Sequence, residues 1–183
     1  MNNISKHPLI LIILAIIVSF FFPFPVSAND DIELAGDIIS VVLPLTAAGM
    51  TAYHGDQEGF IQFSKSFLTT LGTTYALNYS INTEGPSGES HSFPSGHTSL
   101  AFSGASFLQR RYGWKYGIPA YAAASFVGWS RIESENHYLK DVLAGAALGI
   151  ISTYIFTIPH QKRIVTTSFV NGGQYGILFS SSF

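Results

Sequence analysis

Two short stretches hold the residue types that chemistry needs, in a chain where only 11% of residues are charged. In SRIESENHYLKD (130–141), Arg131, Glu133, Glu135, Lys140 and Asp141 gather just before a long apolar run, VLAGAALGIISTYIFTI. His137 and Asp141 are four apart, so at a helix start they share one face, a turn apart. Asp141 can then accept a hydrogen bond from one imidazole nitrogen, fix the tautomer and leave the other nitrogen free to attack. Arg131 precedes them in the polar approach, and its planar fork suits bidentate binding of phosphate oxygens. The same residues also fit an ordinary helix start in which Asn136 caps, His137 is exposed and Arg131 pairs with Glu135.

The second stretch, SFPSGHTSLAFSGASFL, places Pro94-Ser95-Gly96-His97 at the mouth of another helix. Ser95 is a natural N-cap, and Gly96 lets the backbone come close to a ligand. Unpaired N–H groups at a helix N-terminus bind an anion without any charged side chain. His97 beside that anion could donate a proton to a leaving oxygen. Taken alone, the stretch is equally a capped helix with a histidine in its first turn.

Those residues need a frame, and apolar runs supply it. Helices are predicted at about 36–53, 60–79, 95–111, 117–130 and 137–158, with breaks at HGDQEG (54–59), NTEGPSGESHSFP (82–94), RYGWKYG (111–117) and Pro159. The C-terminal stretch has β-branched and aromatic residues on either side of Asn171-Gly172-Gly173, a hairpin signal. The expected fold is an all-α helical bundle with a small C-terminal β-hairpin. Small residues recur on the helices, and Gly145-x-x-x-Gly149 has the spacing that lets backbones approach closely. In an up-down bundle His54 and His160 fall at the end opposite the two motifs, and His91 lies in the loop before PSGH, where it could line the mouth. Trp114 and Trp129 read as core or interface residues.

Residues 1–28 resemble a signal peptide: Lys6, an apolar core at 9–22, Pro23 and Pro25, then Val26-Ser27-Ala28. Uncleaved, the segment would be an anchor helix. Residues 29–183 form one domain, with 160–183 as the hairpin tail, and without Lys6 its formal charge is −3. The absence of a basic tract excludes a nucleic-acid partner. With no cysteine in the chain, disulfide scaffolds, zinc–thiolate sites and cysteine nucleophiles are excluded too. A mean hydropathy of +0.30 is high for a soluble domain and low for a densely spanning one. The 142–158 run reaches about 26 Å as helix, at the lower limit for crossing a bilayer. The 60–79 helix carries Gln62 and Lys65 and spans poorly. Against this, Arg110, Arg111, Lys115, Lys162 and Arg163 would share one end, as spanning helices ask. The expectation is an exported domain of the cell envelope, soluble or resting on the membrane surface, of unassigned oligomeric state.

PSGH followed by SR-x5-H-x3-D resembles the type 2 phosphatidic-acid phosphatase and vanadium-dependent haloperoxidase superfamily. The resemblance covers most of the chain after residue 28 and implies a helical bundle whose motifs converge at one end. It implies His137 as the nucleophile that forms a phosphohistidine, Asp141 as its orienter and His97 as the acid. Arg131, Ser95 and Gly96 would hold phosphoryl oxygens, with no metal and no cofactor. The family's first motif, K-x6-R-P, departs here: NYSINTEGP puts Asn78 at the lysine position and Gly85 at the arginine position, beside Glu84. Asn78 can still donate to phosphate. A charged hydrogen bond contributes about 1.5–3 kcal/mol, so two losses amount to roughly 3–6 kcal/mol, or about 10²–10⁴-fold in rate. Three functions follow: a metal-independent phosphatase acting on a phosphomonoester or pyrophosphate, with a lipid phosphate as its main candidate; a weakened or inactive member that binds a phosphate or lipid headgroup; and a vanadate-dependent peroxidase.

Overall fold

The computed structural model describes residues 28–160, with side chains from Asp30 onward, and the backbone of 163–171 and 174–182. The expected signal peptide or anchor lies, up to residue 27, outside the described residues. Five helices make up the domain: α1 (Ala28–Tyr53), α2 (Gln57–Ile81), α3 (Gly96–Tyr112), α4 (Trp114–Glu133) and α5 (Leu139–Phe156). They run up and down, with α3 at the centre in contact with the other four. This all-helical bundle is the fold expected from the sequence. Arg163–Asn171 and Gln174–Ser182 carry antiparallel backbone pairing, and none of their side chains is described. The domain therefore stands on its helices.

Local chemistry sets the element ends. Asp56 caps α2, its Oδ1 accepting from the Gly59 N–H at 2.9 Å, and Ser95 is the N-cap of α3. Helix α1 starts earlier than the apolar pattern suggests, because Asp30 and Asp31 complement the dipole of its first turn. The break predicted at 111–117 shrinks to one residue. Gly113 adopts a φ of +93°, closed to most side chains, and both ends α3 and precedes α4. Asn136 is not the cap of α5; Tyr138 is, and Asn136 instead donates to Glu33 Oε1 at 2.7 Å.

The interior is small and hydroxylic, and the exterior is apolar. Ala101, Ser103, Gly104, Ala105 and Ser106 of α3 are buried against neighbours. Buried hydroxyls are satisfied locally: Ser66 donates to the Phe63 carbonyl, Thr70 to Ser66 and Ser130 to Val127. Gly145 and Gly149 bring α5 onto α3. A Cβ on either would sit 2.5 Å from a main-chain oxygen, of Ser95 and Ser99 respectively. The outer surface carries Ile38, Val42, Leu45, Leu68, Ile118, Leu143, Ile151 and Ile155, all exposed. Trp114 and Trp129 also face outward, 60% and 46% exposed, because α4 turns Ala120, Ala124, Val127 and Gly128 to the core instead. Among the described residues, α1 from Asp30 and α5 are long and apolar enough to cross a membrane.

If glycine contact sets the α3–α5 spacing, two alanine variants should separate cleanly. Gly149→Ala forces a methyl against backbone and should destabilise by about 1–3 kcal/mol. Gly72→Ala on α2, where an added Cβ meets nothing within 4 Å, should be neutral or stabilising through helix propensity. Thermal unfolding of both variants beside wild type reads this; equal melting temperatures would remove glycine from the account.

Candidate functional site

All the motif residues gather at one end of the bundle, where α3 and α5 begin, α2 and α4 end and α1 starts. The Ser95 N–H donates to the main-chain oxygen of Asp141 at 3.0 Å, and Gly145 seats α5 against the Ser95 carbonyl. Backbone contact thus joins the two polar stretches before any side chain is placed. The connecting loops are tightly wound. Among the described residues, the non-glycine positions with positive φ are Asn82, His91 and Glu135, all at this end. Such backbone costs of order 1–3 kcal/mol and persists where surroundings over-determine it.

His137 is held by two main-chain and side-chain links. Its N–H donates to the Arg131 carbonyl at 3.1 Å, and its Nδ1 lies 3.0 Å from Ser92 Oγ. Ser92 in turn donates to Asp141 Oδ2 at 2.9 Å. Since the hydroxyl hydrogen goes to the carboxylate, Ser92 accepts from His137 Nδ1–H, which leaves Nε2 with its lone pair free. The direct distance from His137 Nδ1 to Asp141 Oδ2 is 4.0 Å, too long for a hydrogen bond. Asp141 therefore reaches His137 through Ser92, a residue that the motif spacing does not single out. Asp141 is fully buried, and its Oδ2 also accepts from the Tyr138 N–H at 3.0 Å. Burial pushes His137 below the usual imidazole range; the Asp141 charge opposes this, while His97 and Arg131 add to it.

Arg131 is 2% exposed, and each of its three guanidinium nitrogens has a hydrogen-bond partner. Nη1 donates to Asp37 Oδ1 at 2.7 Å, Nη2 to the Glu33 carbonyl at 2.6 Å, and Nε to Ser130 Oγ at 3.2 Å. Its carboxylate and carbonyl partners come from α1, not from Glu135 as an ordinary helix start would have it. His97 stands half exposed with Nε2 3.2 Å from the same Asp37 oxygen. Asp37 was not among the sequence candidates, although one signal was present: it is the lone charge in α1 beyond Glu33. A single ionisable residue in an otherwise apolar helix asks for a partner.

The remaining candidates divide by what they hold. Ser95 is buried, with Oγ 2.9 Å from Thr98 Oγ1, so its polar groups serve the helix start. Gly96 opens on space: an added Cβ would meet nothing within 4 Å. Asn78 donates from Nδ2 to the Pro94 carbonyl at 3.0 Å, and His91 Nδ1 donates to the Asn78 carbonyl at 2.9 Å. Asn78 thus braces the loop entering α3. Gly85 is buried, and a Cβ there would lie 2.9 Å from the Asn136 carbonyl and 3.1 Å from Ser92 Oγ. A larger residue at 85 would press on the loop that carries His137.

At the other end, Asp56 forms a closed clasp. Arg111 donates to both its carboxylate oxygens at 2.7 and 2.6 Å, and Tyr112 OH adds a third bond at 3.0 Å. Burial raises its pKa, but these donors and the Gly59 N–H outweigh that and hold Asp56 well below the usual carboxylate range. His54 and His160 flank this clasp, away from the motifs, as expected from an up-down bundle. Arg110, Arg111 and Lys115 share this end; Lys162 and the side chain of Arg163 lie outside the described residues.

The Ser92 relay makes a prediction that needs no activity. Nitrogen-15 NMR should find neutral His137 protonated at Nδ1 and titrating below pH 6.5. Removing the Asp141 charge removes a contribution that raises this pKa, so Asp141→Asn should move the midpoint lower still. Ser92→Ala should let the Nε2–H tautomer populate. A midpoint that rises in Asp141→Asn, or an unchanged tautomer in Ser92→Ala, would contradict the relay.

Comparison with known proteins agrees with the helical fold. The chain is 27% identical to the lipid A 4'-phosphatase of Helicobacter pylori strain J99 over 167 residues, covering 81% of this chain and 84% of that protein. It is 28% identical to the lipid A 1-phosphatase of the same strain over 179 residues, covering 86% and 90%. The crystal structure of Aquifex aeolicus LpxE superposes with a TM-score of 0.52 at 20% identity, covering 69% of this chain and 92% of that one. That last likeness is one of fold. Residues 54–164 match the PAP2 superfamily, and the chain belongs to it.

Proposed function

We propose that the chain is a phosphatase that hydrolyses a lipid phosphate at the surface of the cell envelope, without a metal ion, through a phosphohistidine. The observation that carries this reading is the free Nε2 of His137, set by Ser92 and the buried Asp141, beside Arg131 and His97. Nε2 attacks phosphorus, the P–O bond to the alcohol breaks, and His97 gives its proton to the departing alkoxide. Water then attacks the phosphohistidine while His97 takes a proton from it, releasing inorganic phosphate and restoring the neutral His137. The open space at Gly96 and the first-turn N–H groups of α3 leave room for phosphoryl oxygens.

The lipid character of the substrate rests on the relatives' printed activities and on the surface. At the site end stand Asp30, Asp31, Glu33, Asp37, Glu84, Glu89, Glu133, Glu135 and Asp141 against Arg131 and Lys140; Arg110, Arg111 and Lys115 mark the other end, with Asp56 and Glu58 beside them. This asymmetry supports a membrane-associated bundle with its site facing out of the cytoplasm. Exposed Tyr75, Tyr79, Trp129 and Tyr138 ring the site end, and Tyr53, Phe60, Trp114 and Tyr116 the other, where interfacial aromatics belong. Residues 1–28 fit this placement as an export signal, and the C-terminal hairpin as an appendage of the same domain.

A second reading is favoured by Asn78, Gly85 and the engaged Arg131: a site that binds a phosphate headgroup with little or no turnover. Phosphate release from a lipid phosphate and an aryl phosphate decides between the two. In the phosphatase, His137→Ala abolishes release, since no intermediate forms without the nucleophile. Asp141→Ala leaves measurable activity, reduced by roughly 10²–10⁴-fold, because it removes orientation and not the attacking atom. No release by wild type, with retained phosphate binding, would leave the binding reading. Mass spectrometry of the native protein should find a chain beginning near Asn29; a start at Met1 in the membrane fraction would make residues 9–22 an anchor.

A further inference from the structure

Two arginines are buried in this bundle, each on an aspartate, and the pairs differ in one respect. Arg111 and Asp56 are both 3% exposed, so their clasp is sealed on either side. Arg131 is 2% exposed while its partner Asp37 is 39% exposed. The second pair is open to solvent from the carboxylate side. A single oxygen of that carboxylate, Oδ1, lies 2.7 Å from Arg131 Nη1 and 3.2 Å from His97 Nε2. These are two of the groups the phosphatase reading assigns to a phosphoryl group, one to grip an oxygen and one to protonate the leaving oxygen. Both converge on an anion that the chain itself supplies.

We infer that Asp37 is an internal competitor for phosphate, its carboxylate standing where a phosphoryl oxygen of the substrate must go. The inference rests on the site reading above and adds to it a residue from α1, outside the three motif stretches. The chemistry is exchange of one oxyanion for another. Phosphate takes over the bonds from Arg131 Nη1 and His97 Nε2, and the Asp37 carboxylate turns out to the solvent it already faces. Arg131 keeps its bonds to the Glu33 carbonyl and Ser130, so its side chain need not move. With asparagine and glycine where the family has lysine and arginine, few cations oppose the Asp37 charge. Asp37 therefore selects against weakly held anions and admits a ligand with enough additional contact, such as a lipid anchored by its chains.

Inorganic phosphate is the probe. Calorimetric titration of the full-length wild type, Asp37→Asn and Asp37→Ser should show phosphate binding at least about tenfold tighter in both variants, since a like charge beside the bound anion is removed. Binding equal to or weaker than wild type in folded variants would overturn the inference and make Asp37 a brace for His97 and Arg131. Should either variant fail to fold, the wild-type protein gives the same answer. Carbodiimide-and-amine labelling of Asp37, located by peptide mass spectrometry, should speed up when phosphate is added; an unchanged or slower rate would overturn the inference. Lipid-phosphate turnover by wild type, measured alongside, tests the site reading separately. Turnover without tighter variant binding sinks only the competitor role, and absence of both turnover and phosphate binding in all three proteins sinks both.

Discussion

A guanidinium with almost no exposed surface has to find partners for its donors inside the protein, and Arg131 finds them on another helix. Its bonds to Asp37 and the Glu33 carbonyl fasten α1 across the end of α4. That crossing is so close that a Cβ at Gly36 would overlap the Ser130 hydroxyl and lie 2.7 Å from Arg131 Nη2. Glycine at 36, serine at 130 and the Asn136–Glu33 bond at 2.7 Å all follow from bringing α1 within reach of one charge. Breaking a buried pair by removing one partner typically costs about 3–5 kcal/mol, because the other charge stays buried. The arrangement of α1, α4 and the loop into α5 depends on keeping that guanidinium paired.

Around this link the bundle is built as helices in an apolar solvent are built. Association comes from close backbone approach and small side chains, with hydroxyls turned back on their own helices, and not from a large aliphatic core. The buried hydrophobic side chains include only a few of any size, Phe107, Phe63 and Leu108 among them. Leucines and isoleucines that would fill the core of a water-soluble bundle lie outside instead. The polar contacts that remain are concentrated at the two ends, one a sealed clasp and the other a site.

The bundle was legible because helix periodicity and the two polar stretches are local signals. PSGH and SR-x5-H-x3-D lie on α3 and at the α4–α5 turn, as their spacing required. What escaped was long-range. Ser92 carries no mark in the sequence, and its place between His137 and Asp141 depends on a loop folding back over 45 positions. Asp37 and Glu33 reach Arg131 across more than ninety residues, and the nearer Glu135 looked like the natural partner. Trp114 and Trp129, read as core or interface residues, lie on the outer surface, because hydrophobicity says that a side chain leaves water but not what covers it.

Gly113 leaves α3 and α4 joined by a single residue at the end remote from the site. His97 and Arg131 therefore sit at the tips of two arms, 17 and 20 residues long, that share one pivot. Such arms measure about 25 and 30 Å, so a change of about 5° at the pivot would part the tips by roughly 2 Å. That is comparable to the difference between a hydrogen bond and none. The geometry at the mouth is thus a lever reading of the angle at Gly113, and the contact between Ser106 and Tyr121 Oη at 2.9 Å acts as the stay between the arms. A side chain near that pivot can in this way alter the distance between His97 and Arg131 without touching either.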